Sequence, residues 1–165
     1  IALADIGGLW EVVQVTRALS LSADAFVSNA LRFLLRQAHH SGKLNLPDLD
    51  DPEKGSGVVV LALGKHGAME LNYSSDVDLV VFFDPECPAL KEDTEPTQLF
   101  VRITKNLSRL LQDRTGDGYV VRVDLRLRPD PGSTSVAISL PAAFSYYENL
   151  GQGARGAHQG PPDFG

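Results

Sequence analysis

The chain has 165 residues, of which 43% are hydrophobic and 22% charged, which suffices for one globular domain with a sizeable core and excludes several. Its 15 basic and 21 acidic side chains give a net charge of −6, which argues against a broad electrostatic grip on nucleic acid and favours proteins or small anions as partners. The single cysteine, the lack of a signal-peptide pattern and a longest wholly apolar run of only residues 58–63 predict a cytoplasmic protein without a membrane span.

The N-terminal part, residues 1–45, is predicted to form a helical extension, because its apolar side chains recur at helical spacing. Ser22 is a typical helix-capping residue and follows a break in this pattern at residues 19–21. We therefore expect either a hairpin of two helices or one bent helix. Residues 46–57 are rich in Gly, Pro and Asp, which indicates a linker loop.

Two strands and a helix are predicted next. Residues 58–63 are apolar without interruption and are followed by Gly64, which is typical of a strand buried on both faces. Residues 76–83 form a second such run, interrupted only by two aspartates. Residues 94–113 have the apolar spacing of an amphipathic helix, with Thr94 as its N-cap, and this helix is expected to cover one face of the sheet.

The last predicted elements complete a core over residues 58–150. Polar and apolar side chains alternate over residues 119–128, which predicts a strand with one apolar face and one face that is solvated or binds a ligand. Residues 141–150 are predicted to form a short helix. Residues 151–165 contain five glycines and two prolines without periodicity, and we interpret them as a disordered tail.

The two aspartates of the second strand are the most informative feature of the sequence. Asp76 and Asp78 are two residues apart, so on a strand both carboxylates project from the same side. Two such acids repel each other and are costly to desolvate, so an apolar strand keeps them where a cation compensates, and Mg²⁺ prefers oxygen ligands. A third acid, Asp124, lies on the polar face of the later strand, flanked at two-residue spacing by Arg122, Arg126 and Arg128. This pattern favours two-metal nucleotidyl transfer.

The turn at Gly64–Gly67 adds a place where a phosphate can approach backbone N–H groups, and Lys65 there adds a positive charge. Ser75 is interpreted as a cap or a phosphate contact. An Asp-x-Asp pair taken alone is more often an ordinary loop or strand-end feature. A nucleotide-binding P-loop is excluded, because position 59 is Val and position 66 is His, and the absence of a Cys/His cluster leaves zinc unsupported.

Three segments carry a family resemblance: LGKHGAMELNYSSDVDLVVFF, VVRVDLRLRP and FSYYENLGQ. Together they are similar to the family of bifunctional glutamine synthetase adenylyltransferase/adenylyl-removing enzymes, which belongs to the DNA polymerase β-like nucleotidyltransferase superfamily. The resemblance implies an α+β fold with a mixed sheet, covering helices and an N-terminal helical extension. It also implies two Mg²⁺ ions and a set of site residues: Asp76, Asp78 and Asp124 as catalytic acids and metal ligands, Gly64 and Lys65 at the phosphates, and Arg126 and Arg128 neutralising negative charge.

Enzymes of this family have two catalytic domains. One removes AMP from a tyrosine of glutamine synthetase by phosphorolysis, releasing ADP, and the other adds AMP from ATP. The segment at residues 72–75 resembles the N-terminal, adenylyl-removing domain, which is our first expectation; the alternatives are the adenylylating domain and a non-catalytic domain that senses nucleotide. The resemblance further implies regulation by a PII-type signalling protein. Residues 153–165 resemble nothing in the family. The resemblance also implies further helices and a second catalytic domain that this chain does not contain, so the fragment alone is expected to be weakly active or inactive.

Overall fold

The computed structural model describes residues 1–128, 132 and 134–156, the last of these (150–156) as backbone only. Five helices and four strands lie within this part of the chain: α1 (Ala2–Ile6), α2 (Val12–His40), β1 (Val58–Ala62), α3 (Gly64–Gly67), β2 (Val77–Phe83), α4 (Pro96–Gln112), β3 (Val123–Asp124), β4 (Ala137–Ser139) and α5 (Leu140–Gly156). The fold is α+β, as the sequence predicted.

The sheet is built around β2. Strand β1 pairs with β2 antiparallel, with Val58 opposite Phe83 and Ala62 opposite Leu79. On the other side of β2 two short strands run parallel to it, β3 beside its beginning and β4 beside its end. The sheet is therefore mixed, which confirms the prediction.

The two faces of β2 have different surroundings. Val77, Leu79, Val81 and Phe83 are buried against α2 and α4, where the rings of Phe83 and Phe100 stack with centroids 4.9 Å apart. Val80 and Phe82 point to the other face and pack with residues of β4 and α5. Because strand side chains alternate between faces, Asp78 lies on this second face, at the end of β2 that β4 and α5 leave uncovered.

Helix α2 is continuous over 29 residues, so of the two predicted alternatives the hairpin with a break at residues 19–21 is wrong. The Ser22 hydroxyl donates a hydrogen bond to the Ala18 carbonyl 2.8 Å away, inside the helix, instead of capping a new one. The actual N-cap is Glu11, which forms a capping box with Gln14. Buried side chains continue along one face from Val15 to Ala38, and this unbroken stripe holds the helix together across the predicted break.

By length and hydropathy alone, α2 is the one helix in the described part of the chain that is able to cross a membrane. Core helices of soluble proteins meet the same criterion, so it is weak evidence. In this structure α2 packs against α4 and contributes to the main hydrophobic core.

Strand β1 differs from its prediction, because Val59 and Leu61 on one of its faces are 49% and 45% exposed. Within the described residues β1 pairs only with β2, which makes it an edge strand. The exposure of Val59 and Leu61 shows that it is not buried on both faces. Helix α4 lies where the sequence placed it, but its N-cap is Glu95, whose carboxylate accepts hydrogen bonds from the backbone N–H groups of Thr97 and Gln98. The Thr94 hydroxyl instead donates to the Lys43 carbonyl.

The strand predicted over residues 119–128 is reduced to Val123–Asp124. The N–H groups of Val120 and Val121 both donate to the Leu111 carbonyl at the end of α4, so they are not available to a strand ladder. At the other end, the Arg126 N–H donates to the Asp124 side chain and turns the chain away. Helix α5 passes its predicted end at Leu150 and runs to Gly156, into the segment predicted as a disordered tail; residues 157–165 lie outside the described part.

Candidate active site

Two of the three predicted acids face each other across neighbouring strands. Asp78 of β2 and Asp124 of β3 are register partners in a parallel pair. Adjacent strands lie about 4.8 Å apart, and side chains at partner positions point to the same face. Asp76 precedes β2 by one residue, and its negative charge reaches Asp78. The structure thus brings all three carboxylates to one end of one face of the sheet.

Gly64, between β1 and α3, is pressed against Asp78. Its φ of +56° is a left-handed conformation that residues with a side chain rarely adopt. A Cβ atom at this position would stand 2.5 Å from Oδ2 of Asp78, closer than any real contact. The N–H of Leu63 also donates to the Asp78 carbonyl at 2.9 Å. Glycine is therefore required at position 64 so that the turn and the acid can lie together.

The pKa values of Asp78 and Asp124 shift in opposite directions. Burial raises the pKa of Asp78, and the negative charges of Asp124 and Asp76 raise it further. Hydrogen bonds from the Arg126 side chain lower the pKa of Asp124. The environment of Asp78 therefore disfavours an isolated negative charge there and favours a bound cation or proton.

Two arginines contact the other two acids. The Nε of Arg122 donates to Oδ1 of Asp76 at 2.5 Å, and its Nη2 donates to the Ser74 carbonyl at 2.6 Å. Arg126 holds Asp124 through its backbone N–H and its guanidinium, with a shortest distance of 2.6 Å from Nη2 to Oδ2. Sequence reasoning noted Arg122 only as a neighbour of Asp124, because the partner it contacts lies 46 residues earlier.

The other predicted phosphate-contacting residues, Arg128, Ser75 and Lys65, differ in the interactions that their side chains make. Arg128 donates to the carbonyls of Leu125 and Thr134, although its positive charge still contributes to the low pKa of Asp124. The Ser75 hydroxyl donates to Oδ1 of Asn72 at 2.9 Å, a contact between side chains and not a helix cap. Lys65 is exposed and makes no side-chain hydrogen bond or ion pair with the described residues.

The donor chemistry of the site fits a hard divalent cation, since three carboxylates supply oxygen ligands. In this structure, no group of three His, Cys, Asp or Glu side chains in the described part of the chain is arranged to hold a metal ion. Asp76 is paired with Arg122 and Asp124 with Arg126. An open cavity of about 300 Å³, lined by Asp76, Asp124 and Arg126 among others, adjoins the acids.

His66 is a residue of this region to which sequence reasoning assigned no role. Its ring is 1% exposed, and its Nε2 lies 2.8 Å from Oδ1 of Asp24 on α2. Its Nδ1 is buried without a hydrogen-bond partner among the described residues. The contact ties the Gly64 turn to α2 across 42 residues of sequence, a separation that no local pattern reveals.

The raised pKa of Asp78 predicts that Asp78→Asn makes the domain more stable at neutral pH. The folded state binds the Asp78 proton more tightly than the unfolded state, whose carboxyl titrates near about 3.9. The ionised acid therefore costs stability above the folded pKa, and this cost disappears as the pH falls below the unfolded pKa. Thermal melts should show a higher midpoint for the variant at pH 7 and converging midpoints toward pH 3.5. The control is Asp113→Asn, in a surface pair with Arg109; an equal gain there would contradict the explanation.

The sequence was also compared with known proteins. Residues 1–153 match the family model described as "Glutamate-ammonia ligase adenylyltransferase". A protein of Bradyrhizobium sp. (strain BTAi1) is 62% identical over 152 residues, and one of Rhodopseudomonas palustris is 59% identical over the same length. Both are named bifunctional glutamine synthetase adenylyltransferase/adenylyl-removing enzyme. In each case the match covers 92% of this chain and 15% of the relative, so the chain spans less than a sixth of their length.

Proposed function

The chain belongs to the glutamate-ammonia ligase adenylyltransferase family, and from this premise we propose that it is a metal-dependent nucleotidyl-transfer domain acting on glutamine synthetase. The observation that carries the proposal is the placement of Asp78 opposite Asp124, with Gly64 closed onto Asp78. Family membership supplies the substrate class, since the relatives are named for adding adenylyl groups to glutamine synthetase and removing them.

We further propose that the direction is removal of AMP from an adenylylated tyrosine by phosphorolysis, giving tyrosine and ADP. The support is the resemblance of residues 72–75 to the adenylyl-removing domain. In the structure Oδ1 of Asn72 accepts hydrogen bonds from the Ser74 N–H and the Ser75 hydroxyl, and so shapes the turn that leads to Asp76. The adenylylating reaction and a non-catalytic nucleotide sensor are the alternatives.

In this proposal Asp76, Asp78 and Asp124 would hold two Mg²⁺ ions. When bound, such ions polarise the phosphoryl oxygens and stabilise charge in an in-line displacement. The protein itself positions the reactants: the Gly64 turn fixes Asp78, and Arg126 offers a positive charge at the cavity. Lys65 is exposed next to Gly64, and we propose that it contacts a phosphate of the nucleotide.

The proposed partners follow from the same reaction. They are glutamine synthetase as protein substrate, phosphate and ADP or ATP as small ligands, and a PII-type signalling protein as regulator of the longer enzyme. A cytoplasmic location suits these partners. The net charge of −6 disfavours nucleic acid as a substrate.

The direction is tested with adenylylated glutamine synthetase, Mg²⁺ and this chain, assayed with and without inorganic phosphate. Formation of ADP that depends on phosphate is the expected result. A parallel reaction with unmodified glutamine synthetase and ATP measures release of pyrophosphate. Pyrophosphate without phosphate-dependent ADP would favour the adenylylating alternative. If this chain alone is silent, Asp78→Asn is placed in the full-length protein, and unchanged rates of both reactions there would favour the non-catalytic alternative.

A further inference from the structure

We propose that Arg126 is an exchange residue, which closes on Asp124 when no nucleotide is bound and moves to a phosphate of the incoming nucleotide when Asp124 ligates a metal ion. This inference rests on the proposed function, because it concerns the same three acids. In addition to neutralising charge, Arg126 would then link the binding of the metal ion to the binding of the phosphate.

The hydrogen bonds to Asp124 carry the argument. A carboxylate has about four lone-pair positions, two on each oxygen. Oδ1 of Asp124 accepts from the Arg126 backbone N–H at 2.8 Å and from its Nε at 3.0 Å. Oδ2 accepts from Nε at 3.0 Å and from Nη2 at 2.6 Å. Three N–H groups of Arg126 thus contact both oxygens, with the Nε–H shared between them, so a metal ion that binds Asp124 competes with the guanidinium for the same oxygens.

Burial indicates which partner moves. The side chain of Asp124 is 15% exposed and is held in the sheet by its strand, whereas the side chain of Arg126 is 81% exposed. Because the guanidinium is solvated and carries half the charge of a divalent cation, such a cation can displace it from the carboxylate. The two positive charges also repel each other, which drives the released arginine away from the metal position.

The surroundings of Arg126 favour a phosphate as its second partner. It lines the open cavity of about 300 Å³ beside the acids, where it remains within electrostatic reach of Asp76 and Asp78. A planar guanidinium binds two phosphate oxygens as well as it binds a carboxylate. When Asp76, Asp78 and Asp124 ligate a metal ion, a phosphate in this cavity is a matching partner for the released arginine.

The exchange predicts that Arg126→Gln strengthens metal binding and weakens nucleotide binding. Mn²⁺ alone should bind the variant about three- to tenfold more tightly, because the competing and repelling charge is gone. ADP in the presence of saturating Mn²⁺ should bind about tenfold more weakly, because its arginine partner is missing. A purely structural role of Arg126 in orienting Asp124 would weaken both.

Isothermal titration calorimetry of this chain measures both affinities, with Arg109→Gln as the matched control. Arg109 pairs with Asp113 on the surface of α4, and its substitution should change neither affinity. Asp78→Asn serves as the control for the site itself. If Asp78→Asn abolishes the Mn²⁺ binding of the wild type, but Arg126→Gln binds Mn²⁺ no more tightly than the wild type does, the exchange is overturned and the proposed metal site is not. Equal Mn²⁺ binding by wild type and Asp78→Asn would instead overturn the proposed metal site.

Discussion

Asp78→Asn is expected to lower metal-dependent nucleotidyl transfer by at least about a thousandfold, which corresponds to about 4 kcal/mol of lost transition-state stabilisation. Asp78 lies at the centre of the site, as register partner of Asp124 and against Gly64. An amide in its place keeps nearly the same shape but removes the negative charge that a divalent cation requires. Initial rates of phosphate-dependent ADP formation provide the measurement.

The loss of activity in Asp78→Asn has to be distinguished from a failure of the variant to fold. Asp78→Asn should keep its circular dichroism spectrum and melt at a temperature no lower than the wild type, because it removes a partly buried charge that repels two neighbours. Asp113→Asn on the surface of α4 should retain full activity. Retained activity in Asp78→Asn would remove this carboxylate from the reaction.

Gly64→Ala is expected to be the most damaging substitution outside the acids. The left-handed conformation at φ +56° costs a residue with a side chain about 1–2 kcal/mol, and the new methyl group would overlap Oδ2 of Asp78, 2.5 Å away. Either the turn or the Asp78 carboxylate must then shift, and a displacement of about 1 Å at a reacting group costs on the order of a hundredfold in rate. We expect a loss of about 1–3 kcal/mol in the free energy of unfolding and about a hundredfold loss of activity.

Gly116→Ala is the matched control for this substitution. Gly116 lies in the loop after α4, has no atom within 4 Å of the position of a Cβ, and is not among the glycines with positive φ. It should change neither stability nor activity by more than a small amount. If Gly64→Ala behaved like Gly116→Ala in denaturant unfolding and in rate, the close approach of the turn to Asp78 would not matter for function.

Sequence patterns predicted the elements whose causes are local. The apolar run of β2, the amphipathic spacing of α4 and the fixed spacing of Asp76 and Asp78 are all properties of short segments. The side-by-side placement of Asp78 and Asp124 was expected only in outline, because strand pairing joins residues 46 positions apart. The family resemblance contributed the roles of these acids, and their roles remain predictions.

The features that sequence reasoning missed arise from contacts between distant residues. Strand β3 is short because the N–H groups of Val120 and Val121 bind the carbonyl of Leu111, which only the folded chain brings near. The contact of Arg122 with Asp76 and that of His66 with Asp24 also join separate elements. Helix α2 stays whole because one buried stripe outweighs a local sequence suited to a cap.

The proposal that Asp78 and Asp124 hold a divalent cation can be tested in crystals of this chain grown with Mn²⁺ and ADP. Data measured at the manganese absorption edge locate the ion in an anomalous difference map. We predict a manganese peak within about 2.5 Å of a carboxylate oxygen of each residue, with the Arg126 guanidinium on an ADP phosphate. Manganese found only elsewhere, with Arg126 still closed on Asp124, would contradict the account.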